Sequence, residues 1–196
     1  MERLTHALSR LRAATAGRVP TGLTHEDADA VDGTLLTDDA LTFDPVPVLT
    51  ALHARGARVV VIGQVAGMLH GSQEFTGDLD LLWDGERDQH EALSLAFADV
   101  GASLWDAEGA QATSDPFGLP KVLFRSVACC GDLCTPRLPW GALPIGDILR
   151  RACSTSTSDG TVIRYVDAAD LILMRRTVGR PKDLRRVIEL ERIGRG

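Results

Sequence analysis

One stretch of this chain restricts its fold more than any other: residues 59–83, VVVIGQVAGMLHGSQEFTGDLDLLW. An apolar strand runs into Gly63, a short helix punctuated by glycine follows, and a second apolar strand carries Asp78 and Asp80 one residue apart. Residues two apart on a strand share a face. The two carboxylates therefore project side by side, while Leu79, Leu81 and Leu82 anchor the strand. Carboxylates that close repel unless protonated or neutralised by a cation, and hard divalent ions such as Mg²⁺ take oxygen ligands of this kind. The pair reads as half of a metal site.

Around this segment the hydrophobic periodicity alternates helices with strands. Leu4, Leu8 and Leu11 mark an amphipathic helix over Glu2 to Ala16. Residues 17–43 read as a long surface loop with one or two short elements and an acidic run at Glu26, Asp27, Asp29, Asp32, Asp38 and Asp39. Residues 1–43 thus form an N-terminal helix and acidic loop ahead of a domain over 44–196. Asp44-Pro45 opens a helix through Ala54, which Gly56 stops. Strands are expected over 58–62, 78–83, 103–105, 121–127, about 130–134 and 161–166. Helices are expected over 65–70, 87–100 with Leu93, Leu95, Ala96 and Val100 inward, 145–153, 167–177 and 181–193. Trp83 and Trp105 belong to the core. The sum is an α+β fold, a mixed β-sheet flanked by helices.

Composition excludes little more. No run approaches the ~18 apolar residues of a membrane span, and the N-terminus lacks the layout of a secretory signal, so a cytoplasmic protein without membrane contact is expected. The net charge of −6 is unevenly spread: from Asp170 onward eight Lys or Arg face four acids. Anionic ligands would be met there, although arginines at helical spacing equally suit a solvated face. Cys129, Cys130, Cys134 and Cys153 lack zinc-site spacing and read as buried thiols.

The turn Ile62-Gly63-Gln64, followed after thirteen residues by Asp78-Leu79-Asp80-Leu81, resembles the nucleotidyltransferase superfamily that includes DNA polymerase β. His70-Gly71, Thr76-Gly77-Asp78-Leu79-Asp80 and Gly179-Arg180-Pro181-Lys182-Asp183-Leu184 are similar to small bacterial stand-alone members, among them toxins of toxin–antitoxin pairs. The likeness covers about residues 44–193. It implies a minimal nucleotidyltransferase fold and an enzyme that moves a nucleoside monophosphate from an NTP such as ATP to a hydroxyl. The acceptor would be a tRNA end, another RNA, a protein or a small molecule, and the toxin members imply an antitoxin partner. Two Mg²⁺ ions would sit on Asp78, Asp80 and a third carboxylate from a neighbouring strand, for which Asp132 is the candidate. Gly63, Gln64, Thr76, Arg176, Arg180 and Lys182 would bind the nucleotide.

Two residues depart from the pattern. Gln64 stands where the family has Gly or Ser, and its long amide would crowd a phosphate pocket; Glu74 replaces an Arg with an anion. They motivate an alternative, a nucleotidyltransferase-like protein that has lost catalysis and serves as a binding or regulatory partner. A two-metal hydrolase fits less well, because no His-rich ligand set accompanies the carboxylates. His70 reads as structural, bonding to backbone at a helix end. Asp183 reads as a first-turn carboxylate satisfying free N–H groups.

Overall fold

A computed structural model describes residues 1–24, 34–111 and 115–195. Seven strands form one sheet: β1 (Val59–Val61), β2 (Asp78–Trp83), β3 (Ser103–Trp105), β4 (Lys121–Arg125), β5 (Cys130–Cys134), β6 (Cys153–Ser156) and β7 (Val162–Tyr165). Their order across the sheet is β3-β4-β5-β2-β1-β7-β6. β2 runs parallel to β5 and antiparallel to β1, and β1 runs parallel to β7, so the sheet is mixed. The described helices are α1 (Glu2–Thr15), α2 (Asp39–Thr42), α3 (Val46–Ala54), α4 (Gly63–His70), α5 (His90–Asp99), α6 (Ile145–Arg151), α7 (Ala168–Val178) and α8 (Pro181–Ile193). The architecture is α+β. Among the described residues no helix is long and apolar enough to cross a membrane.

The centre of the sheet is where the sequence is most apolar. All three valines of β1 are buried, and so are Leu79, Leu81, Leu82 and Trp83 of β2. Burying each such side chain contributes ~1.5–3 kcal/mol. Leu4, Leu8 and Leu11 bring α1 into the same core as Leu49 of α3 and Val65 of α4, and α1 packs directly on α4. At the other end Phe97 stacks on Phe117, their ring centroids 6.2 Å apart.

Several expectations need correction. Residues 87–89 form a 3-10 turn, and α5 starts only at His90. Leu93, Ala96 and Phe97 then make its inward face at i, i+3 and i+4, leaving Leu95 exposed. Trp105 is half-buried on edge strand β3 rather than in the core. The predicted 145–153 helix ends at Arg151, and Cys153 opens β6, an edge strand of polar residues whose lack of apolar alternation hides it. The expected acidic residues Glu26, Asp27, Asp29 and Asp32 lie outside the described residues. All four cysteines are free thiols, and three are buried.

Candidate active site

Strand pairing brings the acidic residues to one place. Because β1 and β2 are antiparallel, the end of β1 lies beside the start of β2, and Ile62 N–H donates to the Asp80 carbonyl at 2.9 Å. The turn into α4 therefore abuts Asp80. Because β5 is parallel to β2 and in register with it, Asp132 stands directly opposite Asp80. In-register neighbours share a face, so Asp78, Asp80 and Asp132 line one side of the sheet.

Two glycines make this approach possible. Gly63 has φ +62°, and a Cβ there would fall on Asp80 Oδ2 and lie 2.7 Å from its Cγ. Gly131, opposite Leu79, would put a Cβ into the Leu79 backbone, 2.7 Å from its carbonyl carbon. A side chain at either position would push the acidic strands or the turn apart.

The carboxylates open on a cleft of ≈ 1250 Å³ whose lining includes Gly63, Lys121, Arg175, Arg180 and Lys182. Burial, followed by the charges of Asp78 and Asp132, holds the Asp80 carboxyl well above the usual carboxylate range, against the pull of Lys121 and Arg180. The Thr76 hydroxyl donates to Asp78 Oδ1 and fixes that carboxylate. Asp132 Oδ2 is held by Lys121 Nζ at 2.5 Å. Burial draws the Lys121 ammonium down, but the hydrogen bond and charge of Asp132 outweigh it and leave the group above its ordinary value. Among the described residues no three His, Cys, Asp or Glu side chains converge tightly enough to form a ready metal cage. The three aspartates share a face, but Asp132 is engaged by a lysine.

The predicted nucleotide-binding residues divide. Gly63, Gln64, Thr76, Arg180 and Lys182 line the cleft. Arg180 Nε donates to Asp183 Oδ2 at 2.7 Å, and this bond, then burial acting the other way, then the charges of Asp183, Asp80 and Asp78 leave the guanidinium above its ordinary value. Asp183 therefore serves Arg180 in addition to any capping role. Arg176 goes elsewhere: it is exposed and bonds to Glu191. The buried neighbour Arg175 takes the inward position, at i+4 from Leu171 on the face that also holds Met174.

Gln64 is turned into the protein. Its Nε2 donates to Ser72 Oγ at 2.9 Å and to the Glu74 carbonyl at 2.8 Å, and its Oε1 accepts from Arg175 Nη2 at 2.6 Å. The amide is spent on its neighbours, so the expected crowding of a phosphate pocket does not arise. Arg175 Nη2 also reaches the Gly63 carbonyl at 3.3 Å, while its Nη1 is buried with no partner among the described residues. Burial and the nearby Arg186 lower its guanidinium to about 10. The second departure, Glu74, is neutralised by Arg186, Nε to Oε2 at 2.8 Å. His70 Nε2 bonds the Val166 carbonyl at 2.8 Å, the structural role expected of it.

Sequence reasoning missed Lys121 and Arg175. Helical phase could have found Arg175, because Leu171 and Met174 place it, and not Arg176, on the buried stripe. Lys121 carried no local signal, since its meaning depends on the β4–β5 register. Comparison with protein-family models found no match, and neither did comparison with the curated proteins.

Proposed function

We propose that this chain is a metal-dependent nucleotidyltransferase, an enzyme that moves a nucleoside monophosphate from an NTP to a hydroxyl acceptor and releases pyrophosphate. The observation that carries this reading is the convergence of Asp78 and Asp80 with the Gly63 turn, opposite Asp132, at a cleft walled by cations from the α7–α8 junction. The donor set suits Mg²⁺. Hard carboxylate oxygens on one strand face, with a third carboxylate directly opposite Asp80, are the ligands such an ion takes. Asp78 and Asp80 would hold it, and when bound it would polarise the α-phosphoryl group and stabilise the leaving oxygen.

The rest of the work falls to the chain itself. The Gly63 turn, packed against Asp80, would present the free N–H groups at the start of α4 to the phosphates. Arg180 and Lys182 offset the polyphosphate charge. Asp132 takes the proton of the acceptor hydroxyl as its oxygen attacks phosphorus. An RNA end, a protein hydroxyl or an aminoglycoside-like molecule would all supply that group, in the cytoplasm, where NTPs are abundant. A toxin held by an antitoxin is the biological role that the sequence resemblance suggests.

The engagement of Asp132 by Lys121 favours a second reading, a non-catalytic binding or regulatory protein on the same scaffold. The two separate in one experiment: incubation with each labelled NTP and total RNA, with and without Mg²⁺, alongside calorimetry of NTP binding. The enzyme reading expects Mg²⁺-dependent binding and label transfer that Asp80→Asn abolishes. Absence of both refutes it.

A further inference from the structure

The side of the site away from the Asp78–Asp80 pair is already furnished with a positive charge. Lys121 begins β4 and pairs with Cys134, while Leu123 pairs with Asp132. Lys121 is therefore the diagonal neighbour of Asp132 on the same face, within reach of a long side chain. Its Nζ lies 2.5 Å from Asp132 Oδ2, with Lys121 30% and Asp132 23% exposed, so the pair is shielded but borders the cleft. Asp132 is in turn the residue directly across from Asp80.

A metal ion bridging Asp132 to the pair would have to settle beside this ammonium. A divalent ion and an ammonium about 4 Å apart at the effective dielectric of a protein surface repel enough to weaken binding on the order of a millionfold.

We propose that the Lys121 ammonium stands in for the second cation of this site, so that the chain binds one divalent ion, on Asp78 and Asp80. This rests on the nucleotidyltransferase reading and alters its metal stoichiometry. The bound ion accompanies the triphosphate. Lys121, beside Asp132, supplies the positive charge where the acceptor hydroxyl loses its proton.

Electron paramagnetic resonance with Mn²⁺ and a non-hydrolysable α,β-methylene NTP tests this without turnover. Paired metals about 3.5–4 Å apart in a two-metal site are exchange-coupled, whereas a lone Mn²⁺ shows its simple hyperfine pattern. The unaltered chain should give only the uncoupled spectrum of bound Mn²⁺ up to millimolar metal. Lys121→Ala and Lys121→Met, the latter keeping the alkyl stem on β4, should give the coupled spectrum, and Lys121→Arg should not. Thermal melting identifies which variants are folded. A coupled spectrum from the unaltered chain overturns the proposal and leaves metal-dependent transfer standing. So does an uncoupled spectrum from a folded Ala or Met variant. Failure of the unaltered chain to bind Mn²⁺ at all removes the nucleotidyltransferase reading, and this proposal with it.

Discussion

Replacing Gly63 by alanine tests the arrangement most sharply, because Gly101 provides a matched control. The two share a positive φ, +62° and +61°, but a Cβ at Gly101 meets nothing within 4 Å, whereas one at Gly63 lies 2.7 Å from Asp80 Cγ and 2.9 Å from its Cβ. Left-handed backbone costs a non-glycine residue ~1–2 kcal/mol. For 196 residues, at ~2.1 cal/mol/K of unfolding entropy each, 1 kcal/mol moves Tm by about 2.4 °C. Gly101→Ala should therefore lower Tm by roughly 2–5 °C. Gly63→Ala adds overpacking of ~1–3 kcal/mol, for a total near 5–12 °C. Because Asp80 must retreat, Mg²⁺-dependent NTP binding should also weaken. In the Asp80→Ala background the excess over Gly101→Ala should shrink, because the two closest clashes go and only the 2.9 Å contact with the Cβ of residue 80 remains. Calorimetry and melting curves read all of this. If Gly63→Ala melts with Gly101→Ala and binds Mg²⁺·NTP as before, the turn does not press on Asp80 and the site is misassembled.

Three further outcomes follow from the same geometry. The Asp80 carboxyl is raised by burial, Asp78 and Asp132, so its contribution to stability is present below the unfolded value near 3.8 and lost as pH rises through the folded value. Asp80→Asn should therefore raise Tm at pH 7–8 without metal, with the gap closing towards pH 4 and narrowing when Mg²⁺ is added; equal melting at pH 8 refutes the strain. Arg175→Met removes the donor to Gln64 and Gly63 and should cost ~2–4 kcal/mol, while Arg176→Ala should stay within about 0.5 kcal/mol and leave NTP affinity unchanged, as urea melts and calorimetry will show. Glu74→Gln releases Arg186 and should tighten Mg²⁺·NTP binding about fivefold, near 1 kcal/mol; unchanged affinity would mean that Arg186 does not face the ligand.

Local pattern carried the fold further than the site. The bounds of β2, β3 and α8 follow from alternation, from apolar runs and from Pro181 after Gly179, signals that lie within the segment itself. The edge strand β6 did not announce itself, because Cys-Ser-Thr-Ser has no buried face to pattern and pairs with β7 on one side. Gln64 and Glu74 looked like faults in a phosphate pocket. Their partners Ser72, Arg175 and Arg186 turn them into scaffold, and two of those partners lie more than a hundred residues away.

By itself the sequence determined that Asp78 and Asp80 share a strand face beside a glycine turn, since strand period and the absence of a Cβ are properties of neighbouring residues. Tertiary structure alone decided what surrounds them. The register of β5 against β2 brought Asp132 opposite Asp80, and the register of β4 against β5 set Lys121 on Asp132. Each depends on contacts between segments distant in the chain, and a one-residue slip in any of them would turn the side chain to the opposite face.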